Sequence, residues 1–150
     1  MKNNGKVQLS MLMNTEDRTA VLDEVRRIFV MHYNYESFRQ VENAFSIICS
    51  LFDGMYPGYR KCNTEYHNLT HTFDALLGSS RLMDGRSITN EKFDVRLAVN
   101  LHLAALLHDT GYIQEDWDIE GTGAKYTKSH VERSGAFVEK NAANFHLSPS

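Results

Sequence analysis

The chain has 150 residues, with 16 Lys+Arg against 19 Asp+Glu, a formal net charge of −3 and 42% hydrophobic residues. That is enough to build one domain around its own core, and it excludes a disordered or fibrous chain. Mild acidity without a Lys/Arg run gives no footprint for duplex nucleic acid or an anionic lipid surface. No run of about 18 apolar residues predicts a membrane span.

Two prolines, Pro57 and Pro149, leave long stretches free to be helical, and their apolar residues recur with a 3.6-residue period. The reading is all-α, about five helices. Val21, Val25, Ile28 and Phe29 mark a first helix over 15–32, behind Asn14 as N-cap with Glu16 and Asp17 in the first turn. Phe38, Val41, Phe45, Ile48 and Phe52 mark a second, stopped by Asp53-Gly54. Residues 53–64, with Gly54, Pro57, Gly58 and Asn63, predict an irregular connection. Leu69, Phe73, Leu76 and Leu77 give a third helix ending at Asp84-Gly85. A fourth, capped by Thr89 or Asn90, carries Phe93, Leu97, Leu101, Ala104, Ala105 and Leu107. It is the most apolar and is expected at the centre. A loop over 114–125 follows, in which Asp116, Trp117 and Asp118 read as a solvated stretch or a substrate lid. Ser129-His130-Val131-Glu132 has capping-box spacing and predicts a fifth helix reaching Phe145. The single domain spans residues 1–150.

Cys49 and Cys62 are too few for a disulfide framework and predict reduced thiols. Residues 1–14 hold no apolar signal block, so the expected location is cytoplasmic.

Seven histidines are present. His67 and His71 stand four apart, so both imidazoles can face one cavity from one helix. Taken singly, each reads first as an ordinary solvated or hydrogen-bonded helix histidine. His108-Asp109 closes the apolar fourth helix, where a carboxylate is costly to bury unless something cationic compensates it, and a divalent metal ion does so. His108 also suits a helix C-terminus, with Gly111 as a left-handed stop. His32, His102 and His146 read as structural or surface residues.

Tyr66-His67-Asn68-Leu69-Thr70-His71, followed by His108-Asp109-Thr110-Gly111-Tyr112, resembles the HD-domain metal-dependent phosphohydrolases. The first element is similar to a signature of class I cyclic nucleotide phosphodiesterases, and the likeness covers residues 66–136. It implies an HD-type helical bundle in which His71, His108 and Asp109 ligate a metal and His67 protonates the leaving oxygen. His130 would be the additional histidine of branches with a second metal. Asp74, on the helical face of His71, would orient a ligand imidazole. The family's metal shell includes a further aspartate on a later helix. Asp116 and Asp118 come too early to match it, so the expectation is a C-terminally incomplete domain, or a shell finished by water or another residue. The glutamine that selects a base in cyclic nucleotide phosphodiesterases has no counterpart before Ser150.

Imidazole and carboxylate ligands suit Mn, Fe, Zn, Ni or Mg with open positions. Such an ion polarises phosphoryl oxygens and brings the pKa of a bound water from about 15.7 to near neutral. Lys125, Lys128 and Arg133 are the expected phosphate-binding cations, and the N-terminus of the fifth helix beside His130 offers a further anion site. The functional expectation is hydrolysis of a phosphate mono- or diester, with a nucleotide as substrate and a homodimer as an open option. The alternatives are a metal-binding but inactive or regulatory domain, and a cyclic nucleotide phosphodiesterase.

Overall fold

A computed structural model describes residues 13–147, and every regular element among them is helical. Helix α1 is Arg18–Val30, α2 Tyr35–Phe52, α3 Leu69–Ile88, α4 Val95–Leu107 and α5 His130–Lys140. The first four pack on one another, α1 against α2 and α3, and α4 against α2 and α3. α5 packs instead on a 3-10 turn, Thr110–Tyr112, that continues from α4. The all-α bundle expected from the periodicity is what forms.

Its core is built from the expected stripes. Val21, Val25, Ile28 and Phe29 are buried on α1, and Phe38, Val41, Phe45, Ile48 and Phe52 on α2. The Phe45 and Phe73 rings stack 4.8 Å apart, joining α2 to α3. His102 is fully buried among them. Its Nδ1 meets the Ala98 carbonyl at 2.7 Å and its Nε2 the Ser80 hydroxyl at 2.9 Å, and burial lowers its pKa. A neutral imidazole bridging α4 and α3 satisfies both of its nitrogens, in keeping with the structural reading.

Helix boundaries differ where two capping residues compete. α1 starts at Arg18 because Asp17 accepts from the Ala20 N–H, whereas Asn14 is used in a turn with the Glu16 N–H. α3 runs through Asp84-Gly85 to Ile88, and the left-handed residue that ends it is Asn90 (φ 61°). α4 is capped by Asp94, not by Thr89 or Asn90, which leaves Phe93 outside the helix. Ala98, Val99, His102, Leu103 and Leu106 join the expected Ala105 and Leu107 in its buried set, whereas Leu97 and Ala104 are exposed and Leu101 is half-buried. With ten apolar residues among thirteen, α4 carries only a weak phase to read.

Two irregular segments are pinned together. Tyr59 and Glu115 form an antiparallel bridge, and the Arg60 N–H donates to the Gln114 carbonyl. The buried Gln114 amide donates to the carbonyls of Asp118 and Glu120 and accepts from Asn63. Asp118 is buried between the Lys125 ammonium and the Tyr126 hydroxyl, which hold its carboxyl down at about 2. The 114–125 loop is therefore neither a solvated stretch nor a free lid at Asp118. Asp116 and Trp117 beside it are exposed.

α5 departs from its expected ends. Ser129 has ψ 3° and makes no side-chain cap bond, so the capping box with Glu132 does not form. The helix stops at Lys140, where the Asn141 amide turns back onto the Phe137 carbonyl, and a 3-10 turn, Ala142–Phe145, carries Phe145 into the core.

Candidate metal centre

The site lies where the start of α3 meets the end of α4. Asn68 caps α3 by accepting from the His71 N–H, which fixes His71 in the first turn and His67 just before it. α4 ends at His108, and Asp109 begins the turn into Thr110–Tyr112. Two motifs far apart in sequence thus face each other.

One oxygen of Asp109 receives them. The His67 Nδ1 lies 2.8 Å from Oδ2, the His108 Nε2 3.1 Å and the His71 Nε2 3.5 Å. Asp109 is 2% exposed, whereas the three imidazoles reach the surface. Burial pushes the Asp109 carboxyl up, but hydrogen bonds from His108 and His67 outweigh it and hold the group at about 2. The hydrogen bond to Asp109 in turn raises the His108 pKa. The carboxylate is ionised, buried and ringed by nitrogen donors.

Other contacts orient the rings. The Ala105 carbonyl takes His108 Nδ1 at 2.8 Å, leaving Nε2 directed at Asp109. Tyr112, itself buried, stacks on His67 at 4.0 Å and on His130 at 4.6 Å between ring centroids. Tyr66 is exposed and tilts over His71 at 4.5 Å.

His67, His71 and Asp109 each present a ligand atom within 4.8 Å of the others, a donor set of two imidazoles and one carboxylate that fits a divalent ion. His67, expected as an acid, therefore stands inside the ligand cluster, and His108 touches the same oxygen. His130 sits one ring further out, 6.2 Å from His67 between centroids, with Nδ1 on the Thr127 carbonyl.

Three expected roles are not met by the geometry. Asp74 is exposed and makes no hydrogen bond to an imidazole; the orienting contacts come from Ala105 and Tyr112 instead. The Arg133 guanidinium is spent on the carbonyls of Gly111 and Ile113 and on Glu115, and it lies 3.6 Å over the Tyr126 ring. Lys125 is paired with Asp118 and the Glu120 carbonyl. Lys128 alone of the three is exposed without such ties among the described residues.

Sequence reasoning missed the residues that seat α5 behind the site. A Cβ at Gly111 would lie 2.1 Å from the His130 carbonyl oxygen, so close approach, not a left-handed stop, requires this glycine; its φ is not positive. The Ser134 hydroxyl accepts from the Gly111 N–H and donates to the His108 carbonyl. At Gly123 a Cβ would meet the Tyr112 carbonyl oxygen at 2.0 Å. Only Gly111, beside His108-Asp109, carried a local signal.

A scan against protein-family models and searches of curated proteins and of solved structures find no match to this chain.

Proposed function

We propose that this chain is a metal-dependent phosphohydrolase of the HD type, acting on a phosphate mono- or diester of a nucleotide. The observation that carries the reading is the convergence of His67, His71 and His108 on the buried carboxylate of Asp109. A bound divalent cation would supply charge stabilisation at the phosphoryl oxygens and a hydroxide near neutral pH.

The chain's own side chains do the rest. His71, His108 and Asp109 would hold the cation. His67, anchored through Nδ1 to Asp109, keeps Nε2 as the nitrogen from which a proton passes to the leaving oxygen. Tyr112 fixes that ring by stacking. Lys128 remains to neutralise phosphate charge at the rim, and His130 stands ready as a further ligand or phosphate contact.

The engagement of Arg133 and Lys125 within the fold favours a second reading, a metal-binding domain with a regulatory role and no turnover. One set of measurements separates the two. Metal analysis of the purified protein should find bound divalent metal that is lost in His108→Ala and in Asp109→Asn. Equal metal in all three sinks the ligand assignment. With Mn, Ni or Mg supplied, bis(p-nitrophenyl) phosphate and cyclic AMP should be compared as substrates. Turnover supports the hydrolase, and its preference between the two tests the phosphodiesterase likeness. Metal retained without turnover of any phosphoester supports the regulatory domain. His67→Ala should keep the metal and lose rate; loss of both makes His67 a ligand.

A further inference from the structure

A cleft of about 400 Å³ lies between the first turns of α2 and α4 and the Ala142–Phe145 turn, lined by Arg96, Asn100, His146, Val95, Val99 and Leu147. It stands at the opposite end of α4 from His108, about 18 Å away by helical rise. Among the described residues no carboxylate lines it.

Ser37 and Gln40, which also line it, are bonded within the fold, whereas its other polar side chains are unspent among the described residues. Arg18, Arg26, Arg27, Arg39, Arg86 and Arg133 all have carboxylate partners, and Arg60 donates to the Asp118 carbonyl. Arg81 is also engaged. Arg96 has no ion pair or hydrogen bond among the described residues, and neither the Asn100 amide nor the His146 ring has a side-chain partner there. His146 is held in place all the same. Its backbone is left-handed (φ 53°, ψ 35°), and the Gln40 amide donates to the carbonyls of Phe145 and His146. Val99 is buried in the cleft wall and Leu147 is half-buried against the core.

From the unpaired guanidinium, two further donors, an apolar wall and the absence of an acidic group among the described lining residues, we infer that this cleft binds a small organic anion. Its charged group sits on Arg96, with donors from Asn100 and His146, and its apolar part lies on Val95, Val99 and Leu147. Arginine suits the role because its fork of N–H donors matches carboxylate and phosphate oxygens. The cleft has the size of small-molecule sites, and none of its residues belongs to the metal centre.

The test needs no metal and no turnover, so it stands apart from the hydrolase reading. Amide spectra of the whole chain are titrated with hexanoate, with neutral hexanamide and with inorganic phosphate. Hexanoate should saturably shift the amides of Arg96, Asn100 and Leu147, at least tenfold more tightly than either other probe. Arg96→Gln and His146→Asn should each weaken it, the first at least tenfold. Arg96 is exposed and unpaired among the described residues, so its glutamine variant keeps the fold, which the dispersion of the same spectra verifies. No saturable shift, equal binding of hexanamide, phosphate as tight as hexanoate, or unchanged binding to Arg96→Gln would each overturn the inference.

Discussion

Asp109 shows how one buried charge organises its neighbours. Isolated in the interior a carboxylate would be protonated, yet hydrogen bonds from His108 and His67 keep it ionised. Behind this cluster α5 lies directly on Gly111. Gly111→Ala forces backbone apart rather than a flexible side chain, so it should cost about 1–3 kcal/mol. It should also weaken metal binding, read by thermal denaturation and metal analysis of the same preparation. Cys49 offers an independent check on burial. Its thiol is pushed up to about 11, chiefly by desolvation, so at pH 8 only about one molecule in a thousand is thiolate. Iodoacetamide followed by peptide mass mapping should find Cys49 modified far more slowly than in the unfolded chain.

At the scale of elements, each helix is set by a cap and a buried face. Asp94 accepts from the Leu97 N–H at 2.9 Å, and Asp94→Ala should cost about 1 kcal/mol in urea unfolding, the usual worth of such a cap. Phe73 is 1% exposed and stacked on Phe45, so Phe73→Ala should cost about 3–5 kcal/mol by the same measurement. Since Phe73 lies two residues after His71 on α3, its loss should loosen the metal centre as well. An unaltered metal affinity in that variant would show that Asn68 and the Asp109 cluster hold the first turn of α3 without the core beneath it.

Across the whole molecule, the Asp118–Lys125–Tyr126 cluster closes the loop after Tyr112 on itself, and Arg60 and Asn63 tie that loop to the rest of the chain. Asp118 is held at about 2 by Lys125 and Tyr126, below its ordinary carboxylate range. Its contribution to stability is complete above pH 4 and fades as pH falls from about 4 to about 2. Tyr126 is shifted the other way, up to about 12, by burial and by its bond to Asp118. Its contribution is complete below pH 10 and fades as pH rises from about 10 to about 12. Hydrogen exchange should therefore show residues 114–126 opening ahead of the α1–α4 core at both extremes. Simultaneous opening of loop and core would show that the cluster is no separate unit. Among the described residues no helix is long and apolar enough to cross a membrane.

The meeting of His67 and His71 with His108 and Asp109 was expected only from the resemblance of their motifs to HD domains, whereas the sequence by itself determined the all-α class, the number of helices and the buried stripes of α1 and α2. These last follow from short-range rules: a 3.6-residue period and few prolines. Tertiary structure decided what depended on contacts between distant segments. The burying face of α4 was set by α2 and α3, because its apolar residues spread well beyond one face and its own pattern marks the face only weakly. Arg133 became part of the frame, and Gly111 a crossing point, because α5 docks on the turn after Asp109. An arginine reads alike in sequence whether a carbonyl lies above it or solvent does. Only the packing of helices supplies that partner.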